Sequence, residues 1–277
     1  MITAFDTIGK IVLGTAQFTG SYGLNEDVSK LTQDGACLDL LSEAANLGVR
    51  KIDTAFAYGK SHRIILEHLK QHRHFKYQIT TKANLESDDE TIDAMKFLSA
   101  KNILKGTVLL HRQNQIFNKG VVEKIRLMVA GNRRVDWGLS TYDLLHGEQA
   151  LATDGCASIQ LPVSLLNQDF IHSGFIDYAK TRGIKIVGRS IYTLGIIFHD
   201  KKFWQDYPAS VREMLSEIAC FSDCYQIPIS SIALRFVLEK AKVDEVIIGV
   251  NSKEQLINNI STTSHCKMDG LLNYCVE

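Results

Sequence analysis

Residues 38–53, LDLLSEAANLGVRKID, contain the structural unit that decides the fold. Apolar residues at helical spacing run from Leu38 to Leu47, and the following run from Val49 to Asp53 is typical of a buried strand. Gly48 lies between the two runs and fits the left-handed position at which many helices end. Helix, glycine and strand form one α/β unit, and similar units recur along the chain.

Seven further apolar runs predict the remaining strands. They are Lys10–Leu13, Tyr77–Thr81, Gly106–Leu110, Val135–Leu139, Ser158–Leu161, Ile184–Val187 and Val243–Ile248. Helical spacing between the runs predicts helices over 63–72, 91–100, 121–130, 176–182 and 211–220. Eight strands that alternate with helices are typical of a (β/α)8 TIM barrel of about 250 residues. A doubly wound open sheet is the alternative, although that α/β fold usually needs fewer units.

The domain organisation is predicted to be simple. No linker rich in proline, serine or glycine divides the chain, so we predict a single barrel domain over residues 1–277. Its tail, 261–277, is expected to pack on the barrel or to extend from it. The segment 190–210 is predicted to form a lid or an extra helix, with most of its aromatic residues used in packing.

Capping residues mark several predicted helix ends. Asp34 and Ser87 precede helical stretches and are predicted N-caps. Gly131 and Gly183 follow such stretches and are predicted to end them in the same left-handed conformation as Gly48.

The composition excludes several classes of partner. Lys and Arg number 31, Asp and Glu number 31, and the pI is about 7.1. Proteins that bind nucleic acid or anionic lipid usually carry a basic excess, so neither partner is predicted. The chain has no apolar stretch long enough for a membrane span and no secretory signal pattern. Because six cysteines are too few for a disulfide framework, we predict a cytoplasmic protein with reduced thiols, whose partner is a small molecule. The sequence predicts no oligomeric state.

Two phosphate-binding motifs are incomplete. Tyr58–Ser61 resembles the end of a P-loop, but Thr54 occupies the position at which that loop needs a glycine. The glycines at 14, 20 and 23 lack the spacing of a Rossmann fingerprint.

Two pairs of metal-ligating residue types stand four residues apart. They are His68 with His72, and Cys220 with Cys224. Neither pair has a third ligand at the spacing of a metal site, so no metal is predicted. We predict instead that the histidines are solvated on a helix surface and that the cysteines are small thiols on a helix.

Four ionisable residues lie where the catalytic face of the barrel is expected. In such barrels the chemistry collects at the C-terminal ends of the strands. Asp53 ends the second predicted strand, Tyr58 lies in the following loop, Lys82 ends the third strand and His111 ends the fourth. Each has a structural alternative: a helix cap, a half-buried aromatic, a solvated loop residue and a core histidine, respectively. Their occurrence together favours a catalytic group.

The types of these four residues indicate carbonyl reduction. A tyrosine has an ordinary pKa of about 10, and a nearby lysine ammonium lowers that pKa because it favours the phenolate. Asp53 would hold Lys82 charged and in place, while His111 would donate a hydrogen bond to the substrate carbonyl. Tyr58 is therefore predicted to be the general acid that protonates an oxyanion as hydride reaches the carbon.

The segment Ile52–Gly59, IDTAFAYG, is similar to the Asp-Thr-Ala-x-x-Tyr-Gly signature of the aldo-keto reductase superfamily. The resemblance extends over nearly the whole chain and implies an NADPH-dependent oxidoreductase with NADH as the alternative cofactor. The four residues named above match the catalytic tetrad of the family. The cofactor-binding residues that the resemblance implies are Gly14, Thr15 and Ala16 near the nicotinamide; Ser140 and Gln160 at its carboxamide; Ser190, Leu194 and Gly195 at the pyrophosphate; and Gly249, Asn251, Ser252, Lys253, Gln255 and Asn259 at the adenosine.

The opening Gly14–Phe18 with Tyr22 and Gly23 resembles a bacterial branch of the family that is associated with surface-polysaccharide and nucleotide-sugar metabolism. This resemblance implies a role in carbohydrate metabolism, with a sugar or a nucleotide sugar as substrate.

Three departures from the family pattern would weaken cofactor binding. Thr141 and Ser164 replace residues that are usually asparagine, and the segment 189–195, RSIYTLG, replaces the usual Tyr-Ser-Pro-Leu-Gly. Tyr192 is the candidate for the aromatic residue that stacks on the nicotinamide.

Two other functions fit parts of the sequence. A barrel lyase or aldolase would use Lys82 as a Schiff base, which leaves Tyr58 and the adenosine-like segment without a role. A non-catalytic, nucleotide-sensing barrel would not need the intact tetrad.

The preference for NADPH over NADH is predicted to be modest. Family members that prefer NADPH usually carry Arg or Lys at the position matched by Ser252, so the serine lowers the expected discrimination. Lys253 would contact the 2′-phosphate instead, at the N-terminus of a helix that Asn251 caps. One charge-assisted contact corresponds to roughly 1.5–3 kcal/mol in favour of NADPH.

Overall fold

Eight parallel strands close into a barrel in sequence order. A computed structural model describes residues 4–20, 31 and 33–261. The strands are β1 Ile11–Gly14, β2 Lys51–Ala55, β3 Tyr77–Ala83, β4 Ile103–Leu110, β5 Val135–Ser140, β6 Cys156–Pro162, β7 Lys185–Arg189 and β8 Glu245–Ile248. Because β1 pairs with both β2 and β8, the sheet closes and the predicted TIM barrel is confirmed over the open sheet.

Helices surround the barrel. They are α1 Ala4–Lys10, α2 Asp34–Asn46, α3 Ser61–Gln71, α4 Asp88–Leu98, α5 Lys119–Ala130, α6 Leu144–Leu151, α7 Asp169–His172, α8 Phe175–Thr181, α9 Ala209–Tyr225, α10 Ile229–Arg235 and α11 Lys253–Ser261. Apolar side chains fill the layer between the helices and the strands. Leu40 and Leu41 of α2 and Ile64 and Ile65 of α3 are at most 1% exposed. Full burial of such a side chain stabilises a fold by roughly 1.5–3 kcal/mol.

An ion-pair cluster closes the N-terminal end of the barrel. The buried carboxylate of Glu245 lies 2.9 Å from Lys51 Nζ and 3.1 Å from Lys185 Nζ. Burial alone would raise the pKa of Glu245, but the two lysines outweigh burial and hold that pKa below its ordinary value. These structural charges therefore fill the N-terminal end of the barrel, and the opposite end is open and available for a reaction.

A close approach of two strands requires a glycine at one point in the barrel. A Cβ atom on Gly138 of β5 would lie 2.0 Å from the backbone oxygen of Ser158 on β6. The absence of a side chain lets β5 and β6 pair up to Ser140 and Gln160, which lie side by side at the open end.

The predicted caps were correct in part. Ser87 Oγ accepts a hydrogen bond from Glu90 N at 3.4 Å, which confirms that cap. The prediction for Asp34 was wrong because Asp34 is the first residue of α2 rather than its cap, and its carboxylate binds Lys60 and Arg63 at 2.9 and 2.6 Å.

Two of the three predicted helix-ending glycines adopt the left-handed conformation. Gly48 and Gly183 have φ angles of +91° and +73°. The prediction for Gly131 was wrong because its φ is −76° and the chain continues in a right-handed turn, in which Asn132 N donates to Val129 O.

The segment after β7 contains two 3-10 turns, Thr193–Phe198 and Lys201–Asp206, before α9 begins. Trp204 and Tyr207 pack against the core, whereas Phe198 and Phe203 are 45% and 47% exposed. The expectation that the aromatic residues mainly pack therefore holds for part of the segment. The predicted tail beyond Ser261, which ends α11, and the pair Tyr22 and Gly23 lie outside the described residues.

The prediction that His68 is solvated was wrong. Its side chain is fully buried, and Tyr77 of β3, only nine residues further along the chain, brings its hydroxyl to 2.7 Å from His68 Nε2. Cys220 and Cys224 are exposed on α9, with their Sγ atoms 4.0 Å apart.

Two absences hold for the residues that the structure describes. They contain no group of three or more His, Cys, Asp or Glu side chains arranged to hold a metal ion. No helix among them is both long enough and apolar enough to span a membrane.

A buried histidine, His68, and a half-buried one, His62, are expected to make the fold sensitive to acid. Burial lowers the pKa of His62 to about 4, and burial together with His72 lowers the pKa of His68 to about 4. In the unfolded chain both take up a proton near pH 6.5. Between pH 6.5 and 4 the unfolded state therefore binds more protons than the folded state. As the pH falls through this range, the free energy of unfolding is expected to decrease by roughly 3 kcal/mol per histidine.

Urea unfolding between pH 7.5 and 4.5 measures this loss. His62 stacks on Phe56 at 4.3 Å and its Nε2 lies 2.9 Å from Thr81 Oγ1, so His62→Gln removes the titrating group and keeps a hydrogen-bonding side chain. The variant is expected to lose less stability over this range than the natural chain. Equal losses of stability in the two proteins over this pH range would contradict the assignment of the loss to His62.

Candidate active site

The open end of the barrel holds a buried ion pair with an additional amide. Lys82 Nζ of β3 donates to Asp53 Oδ1 of β2 at 2.5 Å, and Gln160 Nε2 of β6 donates to Asp53 Oδ2 at 2.7 Å. All three residues are at most 3% exposed. Asp53 lies two residues before the end of β2 and Lys82 one residue before the end of β3, so both project from within the barrel mouth rather than from the loops.

Burial and charge have opposite effects on Lys82. Burial lowers the pKa of the lysine below its ordinary value, and the adjacent Asp53 carboxylate opposes that shift. The short contact with Asp53 fixes the position of the ammonium group. The Lys82–Asp53 ion pair therefore holds a cation at a fixed position at the inner end of the barrel opening.

Tyr58 lies above this cation. Its ring centroid is 5.4 Å from Lys82 Nζ. The backbone of Tyr58 is held on both sides, because its N donates to Ala55 O at 3.0 Å and Ser61 Oγ donates to its carbonyl at 2.8 Å. The loop between β2 and α3 thus fixes the phenol against the ion pair.

His111 directly follows β4 and packs edge-on against Tyr58, with ring centroids 6.4 Å apart. Burial, and then the charge of Lys82, lower the pKa of this histidine. Its imidazole is therefore neutral at pH 7, and one of its nitrogens can donate a hydrogen bond. The structure brings together all four residues of the predicted tetrad.

A cavity of about 360 Å³ adjoins these residues. Most of the predicted site residues line it. They are Gly14, Ala16, Asp53, Tyr58, Lys82, Gln160, Ser190, Leu194, Gly195, Gly249, Asn251, Gln255 and Asn259. The predicted residues that are not part of this lining are Thr15, His111, Ser140, Ser252 and Lys253.

Thr15 supports the site from below. Its backbone N and its Oγ1 both donate to the carbonyl oxygen of Asp53 at 3.0 Å. Ser140 is buried at the end of β5 and pairs in register with Gln160.

The far end of the cavity lies at the start of α11. The prediction that Asn251 caps this helix was wrong, because Ser252 Oγ accepts from Gln255 N at 3.3 Å and is the cap. Asn251 N instead donates to Gln255 Oε1 at 2.7 Å, and the Asn251 side chain lines the cavity. Lys253 Nζ lies 3.9 Å from Asp39 Oδ2 of α2.

The polar lining fits a nicotinamide dinucleotide. The side-chain oxygens of Gln17, Gln160 and Asn251 are buried without a hydrogen-bond partner among the described residues, and all three residues line the cavity. Unpaired buried acceptors are costly, so these oxygens call for a ligand that brings N–H or O–H donors. A carboxamide and two ribose rings would supply such donors.

The loop after β7 adopts an unusual backbone conformation beside the cavity. Ser190, Thr193 and Leu194 have φ angles of 57°, 49° and 56°, and Gly195 has a φ of 97°. Each left-handed residue other than glycine costs roughly 1 kcal/mol or more. Such strain is typical of ligand-binding loops, and this loop contributes Ser190, Leu194 and Gly195 to the lining.

Seven lining residues received no role at the site from the sequence: Gln17, Arg189, Ile191, Phe198, Ser230, Ile247 and Asn258. Arg189 ends β7, so the strand-end rule that identified Asp53 and Lys82 was sufficient to find it. Tyr192 also lines the cavity, and its hydroxyl is buried without a partner among the described residues.

The comparison with protein families agrees with this geometry. Residues 10–108 and 133–269 match the aldo/keto reductase family. The chain belongs to this family. Members of this family are oxidoreductases of carbonyl compounds that use nicotinamide cofactors.

Solved structures of the family share the fold. The chain is similar to an aldo-keto reductase from Pseudomonas aeruginosa with 19% identity, 92% and 89% coverage of the two chains and a TM-score of 0.65. It is also similar to the thermostable aldo-keto reductase Tm1743, with 16% identity, 96% and 93% coverage and a TM-score of 0.69. At these identities the likeness establishes the barrel and not the substrate.

A curated relative matches part of the chain. Pyridoxal 4-dehydrogenase from Microbacterium luteolum is 26% identical over 140 residues, which are 48% of this chain and 41% of the relative. The match thus spans less than half the length of that relative. None of the relatives named here is described as an enzyme of surface-polysaccharide or nucleotide-sugar metabolism, so that branch stays a prediction.

Proposed function

We propose that the protein reduces an aldehyde or a ketone with NAD(P)H and that Tyr58 is the general acid. The observation that carries the proposal is the position of Lys82, which is bound to Asp53 at 2.5 Å and lies 5.4 Å from the Tyr58 ring centroid, at the wall of a cavity. The ammonium favours the phenolate, so the phenol releases its proton more readily.

When bound, the nicotinamide supplies the hydride. The chain's own residues handle the proton that must reach the carbonyl oxygen. Neutral His111 donates a hydrogen bond to that oxygen, and Tyr58 transfers its hydroxyl proton as negative charge develops there. Lys82 then faces a phenolate rather than a phenol, and Asp53 keeps the ammonium in place throughout.

For the cofactor, Gln160 and Ser140 would hold the carboxamide, although Gln160 Nε2 is used by Asp53. This leaves Gln160 Oε1 as the acceptor. The loop 190–195 and residues Asn251, Gln255 and Asn259 would hold the pyrophosphate and the adenosine along the rest of the cavity.

The proposed substrates are small aldehydes and ketones, among them sugars and nucleotide-linked keto sugars. Pyridoxal joins the panel because of the relative that bears its name. Oxidation of NADPH at 340 nm across this panel tests the function, with Asp53→Asn as the inactive reference. No oxidation with any carbonyl compound would refute the proposal.

A Schiff-base lyase remains the rival use of Lys82. Borohydride treatment in the presence of substrate would trap a covalent adduct on Lys82 in that case. The proposed function predicts no adduct, because the amine stays bound to Asp53 as an ammonium. Mass spectrometry of the treated chain distinguishes the two.

NADPH is expected to bind more tightly than NADH by a modest factor. Lys253 begins α11, where free backbone amides favour a phosphate, and its only ion-pair partner among the described residues is Asp39 at 3.9 Å. Lys253→Ala should reduce the preference by roughly 10- to 100-fold, which corresponds to one charge-assisted contact.

Asp39→Asn is the matched control, for which the opposite effect on the preference for NADPH is expected. It removes the carboxylate that competes for Lys253, so it should leave the preference for NADPH intact or increase it. Dissociation constants for both cofactors are measured by fluorescence titration in all three proteins. Equal affinities in the natural chain, or an unaltered preference in Lys253→Ala, would mean that this lysine does not bind the phosphate.

A further inference from the structure

Arg189 brings a second cation to the catalytic end of the cavity. Its Nη2 donates to the carbonyl oxygen of Thr141, just after β5, at 2.9 Å, and its Nη1 donates to Ser190 Oγ at 3.3 Å. The guanidinium carbon lies 4.0 Å from the ring centroid of Tyr142. These contacts hold the guanidinium across the barrel mouth between β7 and β5.

This guanidinium has no acidic partner in the part of the chain that the structure describes, where all ion pairs within 4.0 Å involve other cations. Two of its N–H groups are used in the bonds above, and a guanidinium has more donors than these. Asp53, the acidic residue in the lining, is already bound by Lys82 and Gln160. The described lining thus carries two cations and one anion.

The position of Arg189 along the cavity identifies the part of a ligand that it meets. Arg189 ends β7 and pairs in register with Pro162 of β6, two residues beyond Gln160. Burial is the main cause of the lowered pKa values of Lys82 and His111, and the charge on Arg189 lowers both further. The guanidinium therefore lies at the end of the cavity that holds Gln160 and Lys82, whereas Asn251 and Asn259 line the part at α11. Leu194 and Phe198, 48% and 45% exposed, add an apolar wall.

We propose that Arg189 binds a carboxylate on the substrate, so that the preferred substrates are carbonyl compounds that carry a carboxylate near an apolar body. The planar fork of a guanidinium matches the two oxygens of a carboxylate, and the unpaired charge in a half-buried cavity favours an anion. This inference rests on the proposed function for its kinetic test and extends that function to a substrate class.

A matched pair of aldehydes tests the proposal. 4-Carboxybenzaldehyde and methyl 4-formylbenzoate differ in one charge and share the reacting group. We expect kcat/KM with NADPH to be at least roughly tenfold higher for the acid in the natural chain, as for a charge-assisted contact. Arg189→Met should lower kcat/KM for the acid far more than for the ester, and Arg189→Lys should retain part of the preference.

Arg126→Met is the control for loss of an arginine. Arg126 lies on α5, where its side chain is 48% exposed and 3.7 Å from Glu123, so both rates should stay unchanged. Melting temperatures of all variants check folding, and Arg189→Lys keeps the test decisive if Arg189→Met is unstable.

A binding measurement separates this proposal from the proposed function. Calorimetry with the full chain, with and without NADP⁺, should detect benzoate binding that is lost in Arg189→Met, and weaker binding of benzamide. Arginine-dependent benzoate binding without any carbonyl reduction would refute the proposed function and support the anion site. Three outcomes would overturn the anion site. The first is equal kcat/KM for the acid and the ester in the natural chain, and the second is an equal loss for both in Arg189→Met. The third is that Arg189→Met weakens NADPH binding but leaves benzoate binding unchanged.

Discussion

Replacing Tyr58 by phenylalanine is expected to lower kcat by roughly 10²- to 10⁴-fold, the usual contribution of a positioned general acid. The change removes the transferable proton and keeps the ring that lies 5.4 Å from Lys82 Nζ and 6.4 Å from the His111 ring. Cofactor affinity should change little, because the hydroxyl acts on the substrate oxygen. Steady-state kinetics together with fluorescence titration of NADPH measures both quantities.

Tyr178→Phe is the matched control for this experiment. Tyr178 is 54% exposed on α8, and its hydroxyl accepts from Arg182 at 3.5 Å. The same chemical change there should leave kcat unaltered. Retention of most of the activity in Tyr58→Phe would remove this residue from the role of general acid.

Replacing Lys82 by methionine is expected to abolish turnover and to destabilise the fold by about 3–5 kcal/mol, the usual cost of breaking a buried ion pair from one side. The methionine leaves the Asp53 carboxylate buried with the Gln160 amide at 2.7 Å but without a cation. The acid also loses the cation that favours its phenolate, so any residual rate should show a shifted pH profile.

A double variant identifies the cause of this loss. Without Lys82 the Asp53 carboxylate stays buried without a cation, and Asp53→Asn removes that buried charge. Urea unfolding of the double variant Asp53→Asn, Lys82→Met should therefore show recovered stability, while the protein stays inactive. A double variant that is as unstable as Lys82→Met would contradict the ion-pair explanation.

The order of elements could be predicted from the sequence, but their ends could not. Val49 belongs to the apolar run of the second strand and is buried, yet β2 begins at Lys51, because a strand begins where its neighbour β3 offers partners. Val243 precedes β8 for a similar reason, since the pairing with β7 starts at Glu245. Apolar patterns report burial, whereas hydrogen-bond register with distant segments decides where a strand begins.

The tetrad could be predicted because each of its members carries a chemical type that the reaction needs. The contacts that Gln160 and Arg189 make could not be predicted. Gln160 was predicted at the carboxamide, and nothing in the sequence indicates that its Nε2 also binds Asp53, 107 positions away. Arg189 donates a hydrogen bond to the backbone carbonyl oxygen of Thr141. Because every residue carries such a carbonyl, the residue types do not predict this contact. Such contacts depend on the three-dimensional arrangement of strand ends rather than on local sequence.

The dependence of Asp53 on residues 29 and 107 positions further along the chain has a consequence for biosynthesis. A nascent chain that has not yet exposed Gln160 cannot complete the hydrogen bonds of the Asp53 carboxylate. Strand β1 also stays unpaired on one side until β8 has left the ribosome. Activity should therefore appear abruptly and late, after most helices have formed, and a reductase assay on stalled translation products would report closure of the barrel rather than the amount of chain made.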